Sequence, residues 1–252
     1  MKKILTFTLV ISLGTLLLSG CQTAQQPTST PPISKESAAS SLGLLASTGI
    51  SIDNTLFGAV GVAGVTTQTL TTYPTPEYGA DGWWHTTFAY RTDSTIEAYF
   101  RLWKVGNVEI VNLADLENLK LADVDKLSMY TTYTIGPSVV MKFGESKSNP
   151  LTFTGVGSNS TLTKSIDGPI SFSGIDEDNT SYSIIIDYDN VSLSAYGIPN
   201  GNVSFSLLTG GTEVIAGNIA FDGTETATVN FSKGYSGSYR VNLPTGSVTP
   251  TS

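Results

Sequence analysis

The 252-residue chain has one cysteine and one histidine, and only 13% of its residues are charged, about half the ~25% usual in a soluble domain. Each scarcity excludes a class of function. A single Cys excludes intrachain disulfides and cysteine-rich zinc sites. A single His excludes metal sites and proton relays that need two imidazoles. Basic residues are the minority, 13 Lys+Arg against 21 Asp+Glu, giving a formal charge of −8. Nucleic-acid binding needs a basic stripe to displace counterions from phosphates, so nucleic acid is not an expected partner. No residue set implies a cofactor or a bound metal. What stands in place of charge is Ser and Thr, about a quarter of the chain, with 25 Gly and 11 Tyr.

The lone cysteine, Cys21, ends an apolar run. Lys2 and Lys3 make a basic start, residues 4–18 are almost wholly apolar or hydroxyl-bearing, and small residues follow. That order describes an export signal over residues 1–20. The run is short for a transmembrane helix, which takes about 20 apolar residues. Leu18-Ser19-Gly20-Cys21 resembles the lipobox of bacterial lipoproteins, a resemblance confined to the first 21 residues. It implies that the leader is removed, that Cys21 is acylated on sulfur, and that the protein sits in the cell envelope with the membrane as partner through its acyl chains. Gln22 stands where an Asp would imply inner-membrane retention, which points to the outer membrane if the cell is Gram-negative. Losing Lys2 and Lys3 takes the charge from −8 to −10. Such a body is repelled by anionic lipid, so the acyl chains, not charge, supply the grip.

Residues 22–34 (QTAQQPTSTPPIS) carry three prolines and no charge and read as an extended tether, about 40 Å long at ~3.1 Å per residue. Ser34 is an N-cap candidate for a helix over 35–47. In the run 56–65, LFGAVGVAGV, glycines recur every third residue. The spacing does not fit a dinucleotide loop, and a closely packed short helix or a buried strand is expected instead. From Gly82 the period becomes two. Trp84, Phe88 and Tyr90 share a face that continues, after Thr92-Asp93-Ser94, in Ile96, Phe100 and Leu102; the other face carries Trp83, His85, Tyr99, Arg101 and Trp103. Trp84 is expected opposite Leu102, or His85 opposite Trp103 in a register two residues away. A short helix within 113–127 and a strand over 129–143 broken at Gly136-Pro137 follow.

Beyond Pro150, apolar runs of five to eight residues alternate with turn signals that include Asp167-Gly168, Asn200-Gly201 and Gly210-Gly211. This spacing predicts an antiparallel meander, because parallel crossovers would need helices that are absent. The fold class is mainly β: a β-sandwich or an open curved sheet with a short N-terminal helical segment. Residues 35–147 and 148–246 form two regions or one continuous domain, and 247–252 read as a disordered tail.

His85 lies mid-strand and no Gly-x-Ser-x-Gly elbow occurs, which disfavours a Ser-His-acid triad. Glu77 and Asp81 beside two tryptophans offer a weak carboxylate pair for glycan hydrolysis. Asp176, Asp178 and Asp187 match three positions of an EF-hand loop, but Ser181 occupies the glycine position. Trp83, Tyr99, Trp103 and Arg101 are the candidate ligand-binding residues, either exposed as a platform or covered by the N-terminal helices or a second sheet. The functional expectation is a lipid-anchored lipoprotein with a non-catalytic binding or structural domain whose ligand is a glycan, a lipid or an envelope protein. The alternatives are a carrier of lipid or another apolar ligand in a curved-sheet cavity, and a carboxylate-based hydrolase.

Overall fold

Alternation of large apolar and polar residues along successive strands gives this protein one buried and one wetted sheet face. The computed structural model describes residues 34–50, 74–91, 93–175, 179–194 and 197–251. The lipobox, the glycine-spaced run 56–65 and the residues Asp176 and Asp178 lie outside them. Helix α1 (Lys35–Ile50) precedes β1 (Glu77–Tyr78), β2 (Trp84–Arg91), β3 (Ser94–Lys104) and β4 (Val108–Glu109). A short helix α2 (Leu113–Glu117) leads to β5 (Val124–Ile135), β6 (Val139–Phe143), β7 (Leu151–Thr154) and β8 (Ser165–Ile175). Then come β9 (Ser181–Leu193), β10 (Pro199–Thr209), β11 (Thr212–Asp222), β12 (Thr226–Lys233), β13 (Gly237–Asn242) and β14 (Val248–Thr251).

All pairings are antiparallel and all fourteen strands belong to one sheet. The main path runs β1-β2-β3-β5-β6-β8 and then in sequence order to β14; β4 flanks β3, and β7 bridges β5 and β8. The path has two ends, so this is an open sheet rather than a closed barrel or two separate sheets. Residues 145–150 connect β6 to β7, and both of those strands pair with β5 and β8. The sheet therefore crosses that stretch without a break. Among the described residues no helix is long and apolar enough to cross a membrane.

The inward face carries Trp84, Phe100, Leu102, Leu127, Met129, Ile166, Ile186, Val203, Ile219 and Val241 in a single contiguous core. Each such side chain contributes about 1.5–3 kcal/mol of burial. A sheet of this many strands curls with its twist, which lets one face be buried along its length. Trp84 also donates its indole N–H to the Ile110 carbonyl at 2.8 Å, satisfying the ring's one polar group inside the core.

Helix α1 covers the C-terminal end of this apolar face. Ser34 caps it by accepting the Ser37 N–H at 3.1 Å, as its sequence position predicts. Ala38, Ala39, Leu42, Leu45 and Ala46 are buried, and the helix packs on β10, β12, β13 and β14. Gly43 lies so close to Val241 that an added Cβ would stand 3.3 Å from its Cγ1. Tyr188 of β9 donates its hydroxyl to the Ala46 carbonyl at 2.8 Å, and burial pushes that phenol's pKa well above its ordinary value.

Several expectations are corrected. The helix runs three residues beyond Ser47. The tail expected to be disordered instead forms β14, with Ser238 opposite Thr251 and Val241 opposite Val248. In the first hairpin Trp84 faces Phe100 and His85 faces Tyr99, neither of the expected registers. The cause is the connection: β3 begins at Ser94, so only residues 92–93 link the strands, and a bulge between Ala89 and Arg91 completes the shift. Asp167-Gly168 and Asn200-Gly201, expected as turns, lie inside β8 and β10 as bulges. What reads as two strands on either side of Asp189-Asn190 is the single strand β9, with Asn190 at φ 43°.

Candidate functional site

The corrected register lines up the outward side chains of the first hairpin in rows across the sheet. One row is His85, Tyr99 and Tyr130, directly opposed on β2, β3 and β5. The His85 and Tyr99 rings stack at 4.3 Å and Tyr99 and Tyr130 at 6.0 Å, each pair 14° from parallel. A second row sets Arg101 opposite Ser128 and continues to Thr152 and Asp167. A third sets Trp103 opposite Lys126, then Thr154 and Ser165.

Cations lie over several of these rings. The Arg101 guanidinium is 4.9 Å from the Trp103 centroid and 5.9 Å from that of Trp83. Lys126 Nζ is 4.5 Å from the Trp103 centroid, and Lys147 Nζ 3.8 Å from that of Tyr99. These distances lie within the ~6 Å range of cation–π attraction. Arg101 is fixed by a two-pronged pair with Glu109, Nε to Oε1 at 2.7 Å and Nη2 to Oε2 at 2.9 Å; the bond to Glu109 raises its pKa. Lys147 is held by Asp81 Oδ2 at 2.5 Å. Glu97 accepts the Tyr99 hydroxyl at 3.0 Å, and Tyr99's pKa is raised, by desolvation first and by Glu97 next.

All four candidate ligand-binding residues, Trp83, Tyr99, Arg101 and Trp103, thus come together on one face. Trp83 is buried and the other three are half-buried. Of the expected cover, α1 lies instead on the opposite, apolar face and residues 51–65 lie outside the described residues; side chains from β3, β5 and the loop after β6 lie over the rings. Tyr130, Lys126 and Lys147 belong to the same cluster and were missed in the sequence. Strand periodicity alone could have flagged Lys126 and Tyr130, but the β3–β5 register could not be read across the intervening helix.

The other candidates fare differently. His85 Nε2 is 3.2 Å from Thr87 Oγ1 and 3.6 Å from Glu97 Oε1. A relay needs the hydroxyl on one ring nitrogen and the acid on the other, whereas here both converge on one. Glu77 is exposed on β1. Asp81 has its pKa lowered, chiefly by Lys147, the reverse of the raised pKa a glycosidase acid requires. Ser181 and Asp187 both lie in strand β9, so no 12-residue calcium loop can run through them. Among the described residues no group of three His, Cys, Asp or Glu could hold a metal.

An open groove of about 330 Å³ lies at the ends of the central strands β6, β8, β9 and β10, lined by Pro137, Val140, Ile175, Tyr182 and Leu208 with flanking serines. None of Trp83, Tyr99 or Trp103 lines it. Beneath α1 the gap among Leu42, Ile184, Phe205 and Leu207 is about 10 Å³, room for one water at most. No family model, curated protein or solved structure matches the chain.

Proposed function

We propose that the chain is a cell-envelope lipoprotein, acylated at Cys21, whose β-rich domain has a non-catalytic binding or structural role exercised through the outer face of its sheet. The observation that carries this reading is the ordered outer-face patch, while the gap beneath α1 is too small for a lipid and the groove of about 330 Å³ is open rather than enclosed. A carrier of lipid needs an enclosed apolar cavity of about 300 Å³ or more, and the space under α1 is far smaller. The polar outer face, by contrast, gathers Trp83, Tyr99, Arg101 and Trp103 in one ordered patch. Ser128 and Thr152, whose hydroxyls are 2.9 Å apart, extend that patch as a row of hydrogen-bonding groups. The Leu-Ser-Gly-Cys sequence supports the anchor, and the outer membrane follows from Gln22 if the cell is Gram-negative.

Native mass spectrometry of the protein from its own host tests this reading. Beyond acylation at Cys21, the mass should contain no co-purified lipid. A stoichiometric apolar ligand in every preparation would favour the carrier.

A further inference from the structure

We infer that the cation–aromatic face of β2, β3 and β5 binds an anionic polysaccharide, one whose sugars bear carboxylate or phosphate groups. This deepens the proposed binding role and rests on it.

The first argument is steric. A neutral pyranose recognised by aromatic residues stacks its C–H face on a free ring. Here Arg101 and Lys126 lie over Trp103, and Lys147 over Tyr99. A neutral sugar must displace a cation from its ring, losing a contact of about 0.5–1 kcal/mol. An anionic sugar can instead pair with Lys126 where it stands over Trp103, since Arg101 and Lys147 keep Glu109 and Asp81 while Lys126 has no carboxylate within ion-pair distance among the described residues.

The second argument is charge placement. Residues 91–164 hold eight bases and eight acids, whereas residues 165–252 hold two bases and nine acids, so the first region is the less acidic of the two. On the outer face, Asp81, Glu97 and Glu109 are already engaged with Lys147, Tyr99 and Arg101. Lys126 and Lys142 have no carboxylate within ion-pair distance among the described residues. Lys142 stands opposite Thr132 in the row that begins at Glu97. Sharing one indole, Arg101 and Lys126 are held within about 10 Å of each other. With Arg101 held by Glu109, Lys126 is the cation of this pair left to meet an anion. Asp167, opposite Thr152, bounds the surface on the β8 side and confines an anion to the β3 and β5 end of the rows.

The third argument is the neighbouring surface. Thr152, Thr154 and Ser165, all half-buried, continue the rows with short hydroxyls, the adjacent Ser128 being buried; such groups suit the hydroxyls of successive sugars better than a folded protein surface.

The test is affinity electrophoresis of the full mature chain in detergent through gels containing polygalacturonate, a phosphomannan, dextran or polyglutamate at low salt. Retardation is expected with polygalacturonate, phosphomannan or both, which separates the two sources of negative charge. Dextran and polyglutamate should leave mobility unchanged. Lys126→Met, which keeps an apolar stem against Trp103, should weaken retention about tenfold, and 0.5 M salt should abolish it. Equal retention by dextran, lost in Trp103→Ala but kept in Lys126→Met, would overturn the anionic inference and leave the binding face standing. Retention by polyglutamate equal to polygalacturonate would show recognition of charge alone and overturn the saccharide assignment. No retention by any polymer would overturn the inference while leaving the anchored, packed domain to its own tests.

Discussion

Asp125 shows what a buried charge does in a chain with few of them. Its carboxylate is 4% exposed and accepts the backbone N–H groups of Gly106 and Asn107 at 3.0 and 3.4 Å and the Ser160 hydroxyl at 2.6 Å. It thereby ties the β3–β4 turn to the loop before β8. Asp125→Ala leaves those donors unpaired, and the expected loss is about 2–4 kcal/mol. Urea unfolding measures it; a change under about 0.5 kcal/mol would remove Asp125 from the account. Tyr188 makes a second residue-scale prediction. Its folded pKa is raised above an unfolded value of about 10. Above that pH the unfolded chain releases a proton that the folded one keeps. The stabilisation is therefore complete below pH ~10 and lost above it, at about 1.4 kcal/mol per pH unit. Tyr188→Phe should flatten that alkaline slope and, by losing the hydrogen bond to the Ala46 carbonyl, lower stability at neutral pH by about 1 kcal/mol. An unchanged slope would mean that other groups control the alkaline limb.

At the scale of elements, the sheet's curvature is built at residues that imitate turns. Bulges in β8 and β10 coincide with Asp167-Gly168 and Asn200-Gly201, flanking Asn190 in β9. Asp167 Oδ1 accepts the Asn190 N–H at 2.9 Å, which pins the irregularities of β8 and β9 together. Gly201 has φ 139°, and an added Cβ would stand 3.0 Å from the Val191 Cα. Gly201→Ala is expected to destabilise by at least 1 kcal/mol, read from the urea midpoint. These pairs carry the same positive-φ chemistry as hairpin turns, so local sequence cannot separate a turn from a bulge. That is why the strand face was legible and the connections less so. Alternation through Trp84, Phe88, Ile96, Phe100 and Leu102 marks the core side, and the Ser34 cap marks the start of α1. The register was not legible, because a two-residue link and a bulge moved it. Nor was the position of α1, since nothing in a run of Ala, Ser, Gly and Leu says which end of a long sheet it will cover. Of the candidate site, Trp83, Tyr99, Arg101 and Trp103 could be grouped by parity alone. Lys126, Tyr130 and Lys147 needed the β3–β5 pairing and the fold-back of the loop after β6.

For the whole molecule, one sheet and one contiguous core make the described residues a single cooperative unit. Calorimetry should show one transition with matching calorimetric and van't Hoff enthalpies; two separable transitions would mean that the halves joined at residues 145–150 fold independently. The sheet turns its apolar face inward among the described residues, and the proposed membrane attachment is the acyl group on Cys21. The most direct measurement is detergent-phase partitioning and membrane fractionation of the wild-type chain beside Cys21→Ser in its own host. The account predicts that wild type enters the detergent phase and sediments with membranes, whereas the variant is soluble in the aqueous phase. A Cys21→Ser chain that stays with the membrane would contradict it.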